Sequence, residues 1–391
     1  MEKKIESNEN NVNKLISLMF FISIFIYIGS ELNNIIPYII IVFLIFAYIY
    51  RITFINKKNV YKIILFIIIY ALIFIINYAY FPETRFRYES ETQRLFLNAL
   101  IFVPIGVLLS TFGTNDKTLK SLYSTAVIGS TILMILQLIL KESQSYQSFG
   151  IHLSLFYGIM LANLLKYKRY SSLIFIIPIL YFILYSGRQN LVSLLVLTFV
   201  LVLYNLKSNT KIYLIFIIPI ITLIIFLSLD QLTISFLKFA NTLNIDTRTV
   251  ESILNNSLFD TSNRKHIYDY SIEIISRSPF EIRGIFGDSA AIRYRITNIT
   301  YAHNILLELV LDFGLFLGLL LFVIFVFKTI SFIMKNKTKD KNFFIILLTL
   351  LFIRFLVSDS IFINSFFIVL LGLLFTKDRK EGGRHLQMSK I

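Results

Sequence analysis

Cysteine and tryptophan are absent from this chain, and histidine occurs only 4 times in 391 residues. Without cysteine there is no disulfide framework, no thiolate metal site and no cysteine nucleophile. Four histidines leave little room for a metal centre, and we predict neither a metal ion nor a cofactor. Charged residues are scarce at 16%, whereas hydrophobic residues reach 56%. No soluble domain of this length has such a composition, which indicates an integral membrane protein.

Long apolar runs recur along the whole chain. A transmembrane helix needs about 20 mostly apolar residues, and the runs predict an all-α membrane protein with about 12 such helices. The predicted spans are residues 15–30, 35–55, 60–81, 95–112, 119–140, 151–165, 171–186, 190–206, 211–229, 302–327, 343–357 and 361–375.

The spans divide the chain into four parts. Residues 1–229 hold spans 1 to 9, and residues 302–376 hold spans 10 to 12. Between them, residues 230–301 form one long external loop that carries amphipathic helices, and residues 377–391 form a cytoplasmic tail. Such a loop is too long for an idle connection between membrane helices.

The net charge of +15 reflects membrane topology rather than nucleic-acid binding. Lysine and arginine concentrate in the short loops on one side of the predicted spans, which is typical of the cytoplasmic side. We therefore predict that both termini are cytoplasmic and that the bilayer, not nucleic acid, is a partner. Neither terminal tail shows a nucleotide-binding glycine pattern.

Two external segments stand out. The first, residues 81–94, is short and rich in arginine and glutamate. In the long loop, Arg264–Arg277 predicts an amphipathic helix along the membrane surface, and Pro279 ends it. Its helically spaced residues are Ile267, Ser271, Ile274 and Ile275. A basic run, Arg293–Arg295, follows.

His303 is the first candidate for chemistry. It stands with Asn304 where the long loop joins the tenth span, and polar groups at membrane depth are usually functional. Histidine is the side chain best suited to proton transfer near neutral pH. The alternative is an interfacial histidine that only bonds to a carbonyl group.

Arg188 and Arg264 are candidates for binding phosphate. Arg188 lies in a very short external turn beside Gly187, and a guanidinium can grip a pyrophosphate with two parallel hydrogen bonds. Arg264 opens the amphipathic helix, and helix N-termini attract phosphates. The alternatives are an arginine that reaches the lipid headgroups and a solvated loop charge.

Acidic residues form a polar stripe on the tenth span. Asn304, Glu308 and Asp312 recur at every fourth position and share one face of the helix. Acidic groups in a span normally face a cavity or a partner. Two interpretations stay open: an ion pair with Arg354 of the next span, or a role in handling protons.

In this order, these motifs resemble the bacterial O-antigen polymerase and O-antigen ligase family, over roughly residues 181–327. The shared features are a small-residue-plus-arginine turn, an arginine that opens an amphipathic helix, a proline-and-glycine element, and a His-Asn pair followed by an acidic residue and glycine. Here they are Ser186-Gly187-Arg188, Arg264, Ser278-Pro279-Phe280 with Gly284 and Gly287, His303-Asn304, and Asp312-Phe313-Gly314. The chain departs from the family's Gly-x-Gly spacing at Gly284 and Gly287-Asp288.

The resemblance implies metal-independent, inverting glycosyl transfer from an undecaprenyl-pyrophosphate-linked oligosaccharide at the outer face of the bacterial cytoplasmic membrane. In this interpretation His303 is the catalytic base, and Arg188 and Arg264 bind the pyrophosphate. Asn304, Glu308, Asp312, Arg293 and Arg295 support the site. The product is O-antigen or capsular polysaccharide, and a chain-length regulator protein is an expected partner.

Within the family we favour a polymerase, which joins one lipid-linked repeat unit to another. A ligase, which transfers finished polymer to lipid A-core or to a protein, is the alternative. A 12-span polysaccharide or lipid exporter is the second alternative, but it predicts polar residues at mid-membrane and no long outer loop.

Overall fold

The computed structural model describes residues 2–32, 35–53, 57–114, 116–140, 146–183, 186, 188–205, 262–293, 302–335, 341–357 and 359–376. The predicted ninth span, most of the long external loop, Arg295 and the tail 377–391 lie outside these residues. Every regular element in the described part of the chain is a helix.

Two groups of helices flank the undescribed stretch. Those before it are α1 (Glu2–Leu32), α2 (Ile35–Thr53), α3 (Lys57–Tyr80), α4 (Arg85–Leu97), α5 (Val103–Phe112), α6 (Asp116–Leu140), α7 (Tyr146–Tyr167), α8 (Leu173–Phe182) and α9 (Arg188–Asn205). Those after it are α10 (Ser262–Arg277), α11 (Gly287–Arg293), α12 (Ile305–Lys335), α13 (Asn342–Val357) and α14 (Ser365–Leu374).

Six helices of the described chain are long and apolar enough to cross a membrane, and five further apolar helices are shorter. Each predicted span other than 211–229 overlaps one of these helices. Large apolar side chains on α2, α3 and α12 face outward, among them Phe43, Ile75 and Phe316. Lipid covers such apolar surface without the cost that water would impose. The chain is a multi-pass membrane protein.

The core of the bundle lies around α1 and α7. Phe20 of α1 is fully buried, and its ring contacts those of Phe156, Phe343 and Phe366 at centroid distances of 6.0–6.4 Å. Helices α5 and α14 cross where Gly106 meets Gly372, and a Cβ on Gly372 would lie 2.3 Å from the Gly106 carbonyl oxygen. Small residues let membrane helices approach closely.

The charged segment 81–94 is largely helical and continuous with the fourth span. A 3-10 turn (Pro82–Thr84) leads into α4, and a π-helical turn (Asn98–Phe102) joins α4 to α5. Arg87 and Glu91 form an ion pair at 3.0 Å and are both buried. The helix therefore begins at Arg85, ahead of the predicted start of the span at residue 95.

The amphipathic helix is confirmed as α10, and it ends at Arg277, ahead of Pro279. Its apolar face packs against protein, whereas the sequence predicts that it lies along the membrane surface. Ile267 packs in a cluster with Ile292 of α11, Leu311 of α12 and Ala302. The face is covered by protein, which fixes α10 against the helix that carries the candidate site.

Candidate active site

The His-Asn pair forms the turn that starts α12. His303 is partly buried and has a backbone φ of 55°, in the left-handed region that few residues other than glycine adopt. The Asn304 side-chain oxygen accepts hydrogen bonds from the N–H groups of Leu306 (3.0 Å) and Leu307 (3.3 Å). Asn304 is thus an N-cap, and it fixes the turn that presents His303.

Asp288 holds the other side of this turn. Its carboxylate accepts hydrogen bonds from the N–H of Ala302 at 2.7 Å and from the N–H of Ser289 at 2.6 Å. Asp288 is buried, and burial raises its pKa to about 6 even though these two hydrogen bonds lower it. A carboxyl group from the segment before α12 therefore positions the residue directly before His303.

The loop that carries Asp288 docks on α12. The N–H of Asp288 donates to the Asp312 carboxylate at 2.7 Å. The N–H groups of Arg283 and Gly284 both donate to the Asp312 carbonyl at 2.9 Å. The side chain and the backbone of Asp312 together hold the loop. They thereby fix Asp288, which bonds to Ala302 next to His303.

Gly314 allows this docking. Its φ of 76° and ψ of 165° interrupt the helical geometry of α12, and such a conformation is essentially restricted to glycine. The N–H of Leu315 then donates to the Pro279 carbonyl at 2.7 Å. The proline-and-glycine element and the Asp312-x-Gly314 motif, separate in the sequence, are thus two halves of one contact.

Asn77 of α3 anchors the same loop from the opposite side. Its side-chain oxygen accepts from the N–H of Ile285 at 2.7 Å, and its amide nitrogen donates to the Ile285 carbonyl at 3.1 Å. Beside it, the rings of Tyr88 and Phe286 contact each other, with 5.0 Å between their centroids. Sequence reasoning missed Asn77 and Asp288, although an asparagine in an apolar span was a usable signal.

The acidic stripe faces protein, but its partner is not the predicted one. Glu308 is buried; its carboxylate accepts from the Ser360 hydroxyl and from the N–H of Ile361 at 3.3 Å. Arg354 forms its ion pair with Asp359 at 3.1 Å. The predicted ion pair between Arg354 and the stripe is wrong, because the chain turns after α13 and brings Asp359 back to Arg354.

Residues 173–323 match a family model described as O-Antigen ligase. These residues are similar to the O-antigen ligase family. The match runs from α8 into α12 and includes the turn at Arg188, the start of α10 and the His303 turn. No curated protein and no solved structure matches the chain. Members of the O-antigen ligase family are glycosyltransferase-like enzymes in O-antigen assembly.

The arginines predicted for the site are only partly described. The backbone of Arg188 begins α9 and that of Arg264 lies in the first turn of α10, but both side chains and the whole of Arg295 lie outside the described residues. Arg293 ends α11 and is exposed; its guanidinium lies 4.2 Å from the centroid of the Phe86 ring.

The turn before Arg188 packs tightly on α7. A Cβ added to Gly150 would lie 2.6 Å from the Ser186 Cβ and 2.0 Å from the amide nitrogen of Asn190. Only glycine at position 150 fits this approach.

Within the described residues, no group of three or more His, Asp or Glu could hold a metal ion.

Proposed function

We propose that this protein polymerises undecaprenyl-pyrophosphate-linked oligosaccharide repeat units into O-antigen or capsular polysaccharide. The reaction takes place at the outer face of the bacterial cytoplasmic membrane, with both termini in the cytoplasm. The observation that carries the proposal is the His303 turn, which Asn304 and Asp288 hold in a left-handed conformation inside an O-antigen ligase domain. Backbone strain of this kind concentrates at functional sites.

The chemistry follows from the residue types. The His303 imidazole takes the proton of the acceptor hydroxyl. That hydroxyl oxygen forms a bond to the anomeric carbon of the donor sugar while the bond from this carbon to the pyrophosphate oxygen breaks. The donor leaves as undecaprenyl pyrophosphate, and attack from the opposite side inverts the anomeric centre.

Arg188 and Arg264 bind the pyrophosphate and stabilise the negative charge that develops on it as the bond breaks. Both residues open helices, where backbone N–H groups also favour an anion. Arg293 and Arg295 contribute further positive charge from the long loop. Asp312 and Glu308 position the loop and α12 rather than contact the substrate.

A ligase is the second candidate, because the matching family model is described as O-Antigen ligase. The two activities differ in what their loss leaves behind. Loss of a polymerase leaves single repeat units that a separate ligase still transfers. Loss of a ligase strands long chains on the lipid carrier. A deletion strain analysed for both products therefore separates the candidates.

The pyrophosphate assignment is tested by Arg188→Ala and Arg264→Ala. Each variant should abolish or strongly reduce polymer formation in cells while the protein stays inserted at normal abundance. The corresponding lysine variants should restore little activity, because an ammonium group cannot reproduce the planar, two-pronged guanidinium. Lys265→Ala, which removes a neighbouring exposed charge on α10, serves as the control. Normal polymer from Arg264→Ala would refute its role.

A further inference from the structure

A cavity of about 500 Å³ opens within the bundle among α1, α2, α4, α7 and the segment between α13 and α14. Its size is typical of small-molecule sites. The first half of the chain, outside the family match, supplies most of these elements. Its polar wall includes Gln93, Arg94, His152, Arg354, Asp359 and Asn364.

Hydrogen bonds order one wall of the cavity. Arg354 contacts one oxygen of the Asp359 carboxylate through two of its nitrogens, each at 3.1 Å. The Asn364 amide donates to the same oxygen at 2.7 Å. A buried ion pair costs desolvation energy unless further hydrogen bonds complete it. Here the additional bond is present, so the wall is rigid before any ligand arrives.

Hydrogen bonds link the wall of the cavity to the candidate active site. Ser360, beside Asp359, donates its hydroxyl to Glu308 of α12. The Tyr268 hydroxyl lies 3.4 Å from the carbonyl oxygens of His303 and Leu356, and Leu356 is on the same helix as Arg354. The side chains of Ser360 and Tyr268 thus link the cavity wall to α12 and to the His303 turn.

The wall offers hydrogen-bond donors and acceptors side by side. Arg354 donates, Asp359 accepts, and the carboxamide of Gln93 does both. Sugar hydroxyls also donate and accept, whereas a phosphate only accepts. Both arginines of the lining are paired with carboxylates, Arg94 with Glu91 at 3.4 Å and Arg354 with Asp359 at 3.1 Å, so their charges are balanced. The rings of Phe102 and Phe366 add apolar surface to the cavity wall.

We propose that this cavity binds the saccharide part of a lipid-linked substrate, apart from the arginines that bind its pyrophosphate. The proposal rests on the proposed function for the identity of the substrate. It assigns a role in recognising the repeat unit to residues from the first half of the chain.

The test measures binding separately from catalysis. Full-length His303→Ala protein in detergent is titrated with two probes: the repeat-unit oligosaccharide, released by mild acid from the host's lipid carrier, and inorganic pyrophosphate. Ligand-observed NMR reports each. Gln93→Ala and Asp359→Asn, each added to this background, should weaken oligosaccharide binding about tenfold, the value of one or two hydrogen bonds. Pyrophosphate binding should be unchanged in both.

Gln93 is exposed and makes no structural hydrogen bond in the described residues, so its variant stays informative if Asp359→Asn fails to fold. Thr92→Ala, the neighbouring exposed residue, is the control and should bind both probes as its parent does. Unchanged oligosaccharide binding in Gln93→Ala overturns the proposal. Loss of pyrophosphate binding there overturns it too, since the cavity would then be a phosphate site. The reaction itself is judged separately, by polymer formation.

Discussion

At the residue scale, the position of His303 depends on groups that are distant in sequence. Asp288 is separated from Ala302 by undescribed residues, yet its carboxylate accepts the Ala302 N–H at 2.7 Å. The positive φ of His303 has a free-energy cost of about 1–3 kcal/mol. The Asp288 and Asn304 bonds on either side offset that cost, so the conformation persists only while both are made.

Asp288→Ala should therefore reduce activity although Asp288 does not contact the substrate. Without the bond to Ala302, the turn relaxes and the imidazole moves, and a displacement of about 1 Å can cost about 100-fold in rate. The measurement is polymer formation by the variant at normal abundance. Asp269→Ala on α10, also an aspartate but exposed, is the matched control. Equal activity in both variants would remove Asp288 from the site.

The sequence predicts the His-Asn turn but not the distant residues that hold it in place. The N-cap role of Asn304 is seen only in the structure; Asn304 itself was recognised from its place beside His303 and its regular spacing with Glu308 and Asp312. Asn77 and Asp288 were not, because their partners lie across the fold. Of the two interpretations of the acidic stripe, the ion pair with Arg354 is not formed, because the chain turns after α13 and brings Asp359 to Arg354.

At the element scale, the break in α12 and the loop at residues 278–286 form one unit. Leu315 bonds to Pro279, and Arg283 bonds to Asp312, only because the helix is interrupted between them. Periodicity predicts α10 because Ile267 and its neighbours repeat along one local face. It gives no information about this break, which depends on a contact between two distant segments.

Gly314→Ala should loosen this unit. The substitution places a Cβ 3.1 Å from the Phe280 carbonyl and imposes a φ that alanine disfavours, at a cost of about 1–3 kcal/mol. Hydrogen exchange at residues 281–286 should accelerate, and polymer formation should fall with it. Leu317→Ala, further along α12 and partly exposed, should leave exchange in this loop unchanged. Identical exchange in the two variants would show that the loop does not depend on the break.

At the scale of the whole molecule, the polar groups of the candidate site and of the cavity lie near one end of the bundle. The His303 turn, the docked loop and the cavity with Arg354 all lie where helices begin or end on the same side of α12 and α13. This arrangement suits a reaction on a membrane-bound substrate whose saccharide lies in water and whose lipid stays in the bilayer.

The predicted topology, with both termini in the cytoplasm, can be tested with reporter fusions. A reporter fused at Ser257 should be active only in the external compartment, and reporters at either terminus only in the cytoplasm, because lysine and arginine concentrate in the short loops of the terminal side. Paired reporters that respond in opposite compartments provide the measurement. A cytoplasmic signal from the Ser257 fusion would put the donor saccharide on the wrong side of the membrane and would contradict the proposed function.

The most direct test of the account uses purified protein in liposomes with the host's undecaprenyl-pyrophosphate-linked repeat unit as the only saccharide. Wild-type protein should lengthen the saccharide and release undecaprenyl pyrophosphate in equal amounts. His303→Ala should lose about 10²–10⁴-fold in rate while it still binds inorganic pyrophosphate. Wild-type chain lengths formed at the wild-type rate by correctly folded His303→Ala would contradict the assignment of His303 as the catalytic base.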